Sequence, residues 1–452
     1  MPSGSPVRST PLWRNRDFTI LWSGQAVSTL GSSISQIALP LLVLALTHSP
    51  ALAGLLGALQ FVPYLLLSLP AGVLLDRWNR KTVMMLCDAG RALALGSLPL
   101  VVLVVGQPLT LLHIYLVAVT DGTFFVFFNL AESSALPHVV PAAQLAAATA
   151  QNHVREAASV LVGPPLGTLL FTLGQTVPFL ADALSYVASV VSLAFIRTRF
   201  QVRRSAHRGH NGAKLRHLGA ELREGVTFLA RHRLLRTLAF LTAGIVFVGS
   251  SQPLIVILAA QQQHVPTARI GLIFTCGGLG FILGSLLSTP LAQRLRFGRV
   301  IAGTQWAWAA LYVLFAAVLR WPPPALGPFP ARGPLPAIGP IAGAVWGLAA
   351  VYTGLQVVLP IFNVSNFSYR LALVPDHLQA RVLSVYRLFG WGMVPLGLLA
   401  AGALLQTVNV VATVAILALV QLVIAASVTR SAPLRQAPAL ASLASRAREP
   451  HD

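Results

Sequence analysis

The chain has few charged residues and very few acidic ones. Only 10% of its 452 residues are charged, and 12 Asp and Glu stand against 32 Lys and Arg, a formal net charge of +20. An ordinary soluble domain has about 25% charged residues, so this composition excludes a soluble globular enzyme, a disordered protein and a coiled coil. Because 55% of the residues are hydrophobic over a length too great for one or two anchors, the composition indicates a membrane protein with many spans.

Cysteine and catalytic motifs are scarce as well. The two cysteines, Cys87 and Cys276, lie far apart inside apolar runs, where they are expected to be small buried hydrophobic residues without metal-ligand spacing. The sequence lacks a Gly-x-x-x-x-Gly-Lys-Ser/Thr phosphate loop, a His-Glu-x-x-His zinc motif and a Gly-x-Ser-x-Gly nucleophile turn. We therefore expect neither an enzyme nor a built-in ATPase, with no catalytic residue, no metal and no cofactor.

Continuous apolar runs indicate twelve membrane-spanning helices. A hydrocarbon core about 30 Å thick needs roughly 20 helical residues to cross, and continuous rather than alternating hydrophobicity excludes barrel strands. The first sixteen residues are polar and basic, so the first run is predicted to be an uncleaved span rather than a signal peptide. The predicted spans are Phe18–Leu46, Ala51–Leu75, Thr82–Val105, Leu109–Ser134, Gln144–Leu173, Val177–Ile196, Leu235–Ala260, Thr267–Leu295, Val300–Leu319, Gly339–Asn366, Leu383–Leu405 and Val408–Val428.

The positions of the basic residues predict the orientation of these spans. With the N-terminus inside, 27 of the 32 Lys and Arg fall in inner segments and only Arg269, Arg320 and Arg332 fall outside. This distribution follows the positive-inside rule and predicts a multi-pass protein of the cytoplasmic membrane with both termini in the cytoplasm. The charge therefore indicates orientation in a lipid bilayer. No nucleic-acid partner is expected, because the arginines lack interleaved aromatic residues and a reading motif.

A polar break after the sixth span divides the chain into four predicted regions. These are an N-terminal six-helix bundle (1–196), a basic cytoplasmic linker (197–234), a C-terminal six-helix bundle (235–429) and a disordered cytoplasmic tail (430–452). The linker is predicted to contain an amphipathic helix on the inner membrane face. Its apolar stripe is Leu215, Leu218, Leu222, Val226 and Leu229.

The two bundles resemble each other weakly in sequence. Gly54–Arg77 aligns with Gly271–Arg294 at a constant offset of 217 positions, and Leu136–Leu145 resembles Leu371–Leu378. Two six-span repeats are a transporter architecture, with the substrate site between the repeats near the midplane. The predicted fold class is therefore an all-α membrane protein with 12 transmembrane helices in two six-helix pseudo-repeats.

The turn after the second span carries a specific motif. Its sequence resembles motif A of the major facilitator superfamily (MFS), Gly-x-x-x-Asp-Arg-x-Gly-Arg-Lys/Arg, and the matching residues are Gly72, Asp76, Arg77, Arg80 and Lys81. Asn79 replaces the usual Gly, a mild departure because Asn tolerates a left-handed conformation. Gly72 is expected to allow close helix approach, Asp76 to accept from a facing helix N-terminus, and the basic residues to lie at lipid head groups. The turn is then expected either to act as a latch that holds the two halves together on the inner side, or only to fix the orientation of the loop by its charge.

The fifth span carries a second motif, which resembles the MFS antiporter signature called motif C. The matching residues are Gly163, Pro164 and Gly167, with Ser159 in place of a Gly. Small residues every four positions also permit close helix packing and prolines bend a helix, so plain packing is the alternative. The resemblance covers nearly the whole chain. The chain is similar to the twelve-span branch of the superfamily that holds macrolide-efflux proteins and the enterobactin exporter. The resemblance implies the MFS fold, alternating access and export, although Ser32 stands where many members have Asp.

Each charged residue inside an apolar span is expected to have a structural or functional role, because a charge at the bilayer centre costs roughly 3 kcal/mol. Asp88 and Arg91, three residues apart on one helix, are predicted to pair. Glu132, Arg155 and Glu156 are predicted to form one network close to motif A.

Asp121 and Asp182 have no basic partner nearby in sequence. An unpaired carboxyl group in a low-dielectric site can exchange protons near neutral pH. We predict Asp121 as the proton carrier, Asp182 as the second candidate and Glu156 as a further one. The resemblance to the enterobactin-exporter branch includes Asp-Gly at positions 121–122. A hydrogen bond to a facing Ser, Thr or Tyr is the alternative for Asp121 and Asp182.

The expected substrate cavity has few charges and many aromatic residues. Ligand sites are mostly apolar with a few placed polar groups, so this lining suits a bulky, largely apolar, neutral or weakly cationic molecule. Sugars or phosphates would require more polar or basic residues. The cavity candidates are Gln25, Gln60, Tyr64, Phe124, Phe128, Gln356, Asn363 and Trp391.

The sequence thus predicts a secondary active transporter, a proton-coupled antiporter that exports bulky apolar small molecules (a drug, a macrolide or a siderophore-like compound) by alternating access. Its expected partners are the small-molecule substrate, protons and the lipid bilayer, and the chain is expected to be a monomer. Two alternatives remain open. One is a lipid or lysophospholipid flippase of the same fold, and the other is a non-transporting membrane receptor.

Overall fold

The computed structural model describes residues 12–75, 78–198, 200, 223–321 and 340–437. Within these ranges the chain forms helices and turns, and no strand. The main helices are α1 (Arg16–Thr47), α2 (Pro50–Leu75), α3 (Arg80–Leu100), α4 (Leu111–Val139), α5 (Leu145–Leu173), α6 (Val177–Phe195), α7 (residues 223–231), α8 (Arg233–Ser250), α9 (Gln252–Gln262), α10 (Thr267–Arg294), α11 (Phe297–Arg320), α12 (Pro340–Leu373), α13 (Asp376–Thr407), α14 (Val410–Arg430) and α15 (Ala432–Arg435).

Twelve segments among the described residues are long and apolar enough to cross a membrane, which confirms the predicted number of spans. Helices α8 and α9 together form one of them, Arg233–Gln262, and α3 extends through Val105 to form another. Side-chain caps fix several helix starts, since Thr110 accepts from the backbone N–H of His113 at 3.3 Å and Asn409 from that of Ala412 at 2.7 Å.

The chain divides into two compact units, and the predicted bundle boundaries stay a prediction. The first unit contains Met1–Val43 and Leu59–Ala206, and the second contains Leu44–Ala58 and His207–Asp452. The short segment 44–58 therefore belongs with the C-terminal half. A glycine allows this segment to pack closely on the C-terminal half, because a Cβ at Gly54 would lie 2.5 Å from the carbonyl oxygen of Leu398 on α13. Only small residues permit such an approach of two helix backbones.

The helix starts match the offset between the two halves of the sequence. Helices α2 and α10 begin at Pro50 and Thr267, which are 217 positions apart as the sequence offset predicts. Helix α10 packs on α12 through glycines, and a Cβ at Gly280 would lie 2.5 Å from the carbonyl oxygen of Thr353.

The predicted amphipathic helix of the linker is described only in part. Residues 223–231 are helical, and Leu215, Leu218 and Leu222 lie outside the described residues. Of the remaining stripe, Leu229 is buried and Val226 is 47% exposed. Glu224 of this helix forms an ion pair with Arg381 at the start of α13.

Candidate functional site

A buried ion pair joins α3 and α4 in the first unit. Arg91 Nε lies 2.7 Å from Asp121 Oδ1, and each residue is 5% exposed. The second carboxylate oxygen of Asp121 accepts from Gln60 Nε2 at 3.1 Å. The guanidinium of Arg91 also lies 4.3 Å from the ring centre of Tyr186, a cation–π geometry. Asp121 therefore has a cationic partner, contrary to the expectation from its sequence neighbours.

Asp88 does not pair with Arg91, so the predicted bond between them is wrong. Asp88 Oδ2 accepts instead from Ser189 Oγ of α6 at 2.5 Å, and Gln25 Nε2 of α1 donates to Ser189 Oγ at 3.0 Å. Residues three apart on a helix point roughly 60° apart around its axis. Asp88 thereby faces α6 while Arg91 reaches α4.

Asp182 is fully buried on α6 and bonds only to a hydroxyl group. Ser185 Oγ donates to Asp182 Oδ1 at 3.2 Å, and Oδ2 makes no hydrogen bond within the described residues. Asp88 has the same character, because its Oδ1 is also without a hydrogen bond there. Ser185, the hydroxyl partner of Asp182, lies on the same helix, whereas Ser189 of α6 faces Asp88 of α3.

The four charged residues Asp88, Arg91, Asp121 and Asp182 form the polar cluster of the first unit. It contains three buried carboxyl groups and one guanidinium, whose charge Asp121 already balances. In the described residues every fully buried charged side chain lies in the first unit, whereas the second unit has neutral pairs such as Gln421 donating to Gln305 at 2.8 Å. An unpaired buried carboxylate is costly, and intramembrane acidic groups of this kind act as proton relays.

A second buried ion pair lies between α4 and α5. Arg155 Nη2 is 2.9 Å from Glu132 Oε1, which confirms that part of the predicted network. Glu156 is not a member, because its side chain is 54% exposed and contacts His153 at 3.4 Å. Successive residues on a helix point about 100° apart, so burial of Arg155 turns Glu156 outward and removes it as a buried proton carrier.

The motif A turn differs from its expected geometry at two positions. Asn79 has extended backbone (φ −68°, ψ 113°) and caps α3 by accepting from the backbone N–H of Lys81 and Thr82, so it is not left-handed. A Cβ at Gly72 would meet no described atom within 4 Å, so Gly72 does not mediate a close helix approach there. Asp76 and Arg77 lie outside the described residues, and the latch stays a prediction.

The basic end of motif A bonds to protein carbonyl groups rather than only to lipid head groups. Arg80 Nη1 donates to Ser134 O at 2.8 Å. Lys81 Nζ donates to Ile196 O at 2.7 Å and Ala194 O at 3.2 Å, at the C-terminus of α6. A cation at a helix C-terminus is favourable because it meets the negative end of the helix dipole.

Motif C forms a packing surface between α5 and α1. A Cβ at Gly163 would overlap the Cβ of Ser33, and a Cβ at Gly167 would lie 2.6 Å from Ile37 Cγ2. Pro164 lies inside the continuous helix α5. The small residues therefore serve close helix packing, and the antiporter interpretation stays a prediction.

We expect Gly163→Ala to destabilise the protein although alanine favours helix. Relief of the overlap with Ser33 requires a helix shift that costs about 1–3 kcal/mol, against a gain of about 1 kcal/mol in helix propensity. Gly303→Ala is the matched control, because a Cβ at Gly303 on α11 meets nothing within 4 Å and should be neutral or stabilising. Thermal unfolding of the purified variants measures both, and equal shifts would contradict the packing role.

Several predicted cavity residues lie in the protein interior. Phe128 belongs to the apolar core of the first unit together with Phe18 and Met84, and Phe124 packs beside it. Gln25 is 1% exposed and bonds to Ser189. The prediction that Gln25, Phe124 and Phe128 line the cavity is corrected, because these side chains take part in core packing or a buried hydrogen bond. Gln60 bonds to Asp121. Of the remaining candidates, the partly buried ones are Tyr64 and Gln356 and the exposed ones are Asn363 and Trp391.

Sequence reasoning missed the polar face of α6. Asp182, Ser185, Tyr186 and Ser189 all turn toward the interior and are buried. Their spacing of three, four and seven residues places them on one helical face, so the pattern was available in the sequence. Ser32 Oγ on α1 meets the hydroxyl of Tyr186 at 2.7 Å, which gives this serine a role in orienting the ring under Arg91.

Comparison with known proteins identifies the family. The chain matches the family model of the Major Facilitator Superfamily over residues 21–390. It is 26% identical over 413 residues to the multidrug efflux pump Tap of Mycobacterium tuberculosis, covering 90% of this chain and 91% of Tap. It is 30% identical over 186 residues to macrolide efflux protein A of Streptococcus pyogenes, covering 41% of this chain and only 45% of that protein's length.

Solved structures show the same fold. A bacterial homologue of the iron transporter ferroportin in an inward-facing state superposes with a TM-score of 0.66 at 17% identity, covering 93% of this chain and 100% of the other. Because the family model covers most of the sequence and twelve segments of the described residues can span a membrane, the chain belongs to the Major Facilitator Superfamily and is a multi-pass membrane transporter, not an enzyme.

Proposed function

We propose that the chain is a proton-coupled antiporter that exports bulky, largely apolar molecules by alternating access, with both termini in the cytoplasm. The observation that carries this proposal is the excess of carboxyl groups in the polar cluster. Asp88 and Asp182 are buried without a cationic partner in the described residues. The names of the relatives, a multidrug efflux pump and a macrolide efflux protein, support export and an apolar substrate class.

Proton binding is assigned to Asp182 and Asp88 ahead of Asp121. The carboxylate of Asp121 is held by Arg91 and Gln60, so protonation there would break an ion pair and leave Arg91 as a buried unbalanced charge. Such a break costs about 3–5 kcal/mol. Protonation of Asp182 breaks no ion pair in the described residues. In the proposed cycle Asp182 takes a proton on the outer side as substrate leaves, and releases it inside as new substrate binds.

The energy available fits an efflux function. A membrane potential supplies about 2.3 kcal/mol per charge per 100 mV. At an RT of about 0.6 kcal/mol, one proton per cycle could sustain a substrate gradient of roughly fifty-fold.

A susceptibility panel in an efflux-deficient bacterial host tests the function. Expression of the chain should raise the inhibitory concentration of at least one macrolide or hydrophobic cation, while the Asp182→Asn variant at equal expression should not. Unchanged susceptibility to every compound would contradict drug export. That result would favour the lysophospholipid flippase, which is measured as flipping of a fluorescent lysophospholipid in proteoliposomes.

Asp182→Asn should remove proton coupling but not substrate binding. Asparagine keeps the shape and a hydrogen bond to Ser185 but cannot release a proton. We expect uptake driven by a pH gradient into inverted vesicles to fall by about a hundredfold or more, the scale of a lost catalytic proton transfer, while substrate exchange without a gradient persists. Glu156→Gln is the control, because Glu156 is exposed and should leave uptake unchanged. Normal pH-driven uptake by Asp182→Asn would exclude Asp182 as the carrier.

A further inference from the structure

A cavity of about 280 Å³ opens between the end of α12 and the start of α13 in the second unit. Its lining includes Phe367, Arg370, Leu371, Leu383 and Tyr386. Small-molecule sites commonly measure about 300–1,000 Å³, so this cavity is too small for a macrolide-sized body. It has room for a headgroup or the upper part of a lipid chain.

Among the described residues one cation lines the cavity, and no described side chain balances its charge. The side chain of Arg370 makes one hydrogen bond to the described residues, from Nε to the Asn366 carbonyl oxygen at 3.3 Å. Its guanidinium stacks 4.2 Å from the ring centre of Tyr386 and 5.8 Å from that of Phe367. No carboxylate with a described side chain contacts it, although the second unit has an Arg–Glu pair nearby at Arg381.

The guanidinium is also held in a fixed position. The hydroxyl of Tyr386 donates to the backbone oxygen of Leu235 on α8, which anchors the ring beneath Arg370. A stacked guanidinium with unused amino groups is suited to planar, bidentate recognition of a phosphate.

The surroundings of the cation are apolar and open to the side. Phe367, Leu371 and Leu383 line the cavity and are 47%, 50% and 39% exposed. Exposed apolar side chains on a membrane span face lipid chains, and basic pockets between spans bind anionic headgroups. The turn between α12 and α13 lies on the side that the basic residues indicate as cytoplasmic. The anionic lipids of that leaflet can therefore reach it.

We propose that this cavity binds the headgroup of an anionic phospholipid of the cytoplasmic leaflet, with the phosphate on Arg370 and the glycerol and upper acyl chain against the apolar walls. Phosphatidylcholine should bind less well, because its choline places a second positive charge beside Arg370. The cavity lies in the second unit and the polar cluster in the first, so the two sites share no residue.

Native mass spectrometry of the purified full-length protein tests this site with dioleoylphosphatidylglycerol and dioleoylphosphatidylcholine as probes. We expect preferential retention of phosphatidylglycerol, and about tenfold weaker binding in Arg370→Ala, from loss of one charge-assisted contact. Leu383→Trp, which fills the cavity and keeps the charge, should weaken binding to a similar extent. This second variant keeps the test decisive if Arg370→Ala fails to fold.

Arg387→Ala is the matched charge control, because Arg387 is exposed on the neighbouring helix α13 and does not line the cavity. It should retain wild-type binding. Equal losses in Arg387→Ala and Arg370→Ala, or equal retention of both lipids, would overturn the site. Full displacement of the lipid by inorganic phosphate at the same concentration would show a free-anion site instead and would also overturn the proposal.

Discussion

Arg91→Ala should lower the free energy of unfolding by about 3–5 kcal/mol, the usual cost of removing one partner of a buried ion pair. The variant leaves Asp121 buried with Gln60 as its only described hydrogen-bond donor. It also places a third uncompensated carboxyl group in the polar cluster. Loss of the stacking between Arg91 and Tyr186 adds to the effect. Thermal unfolding in a fixed detergent measures the change.

A second substitution identifies which carboxylate Arg91 balances. Arg91→Ala combined with Asp121→Asn should recover a large part of the lost stability, because neither charge of the pair remains. Arg91→Ala combined with Asp88→Asn is the matched control and should recover much less, since Asp88 bonds to Ser189 instead. Greater recovery with Asp88→Asn would restore the pairing along α3 and would refute the observed geometry.

Cross-linking position 49 to position 406 should abolish transport. Ser49 Oγ donates to Gln406 Oε1 at 2.8 Å, beside the close approach of Gly54 and Gly402. Residues 44–58 are continuous with α1 and α2, most of which belong to the first unit. If the six N-terminal spans rock as one body, as alternating access requires, this contact must break in one state. A Ser49→Cys/Gln406→Cys pair joined by a short bismethanethiosulfonate reagent should trap the transporter, and a reductant should restore activity.

The cross-link needs a control that joins helices within one bundle. Trp306 Nε1 on α11 donates to Thr429 Oγ1 on α14 at 2.9 Å, and both helices belong to the C-terminal half. The Trp306→Cys/Thr429→Cys pair should cross-link without loss of transport. Both experiments use a background in which Cys87 and Cys276 are replaced by serine. Full transport by completely cross-linked Ser49→Cys/Gln406→Cys protein would show that this contact stays closed throughout the cycle.

The number of spans and the register of the repeat could be predicted from the sequence, whereas the pairing of the charges could not. Hydropathy over about 20 residues reports the thickness of the membrane directly, which is why twelve spans emerged correctly. The partner of Arg91 is 30 positions away on another helix, and only tertiary packing selects Asp121 over the nearer Asp88.

Other predictions from the sequence fail because one residue type suits two local structures. The tolerance of Asn for left-handed backbone suits Asn79 to a turn, but Asn before a run of helical residues is equally a helix N-cap, which is the observed state. Aromatic character alone predicts that Phe124 and Phe128 line a cavity. An aromatic residue on a span is used for core packing just as well, and a single sequence does not distinguish the two faces.

The confinement of fully buried charge to the first unit, among the described residues, has a consequence for how such a transporter could diversify. The second unit offers neutral pairs such as Gln305 with Gln421 where the first has Asp88, Asp121 and Asp182. Under the proposed coupling, the proton stoichiometry would be encoded in one half of the gene. Recombination that exchanges the other half could change the range of exported molecules while the number of protons per cycle stays constant, so a new substrate range need not evolve together with a new energy source.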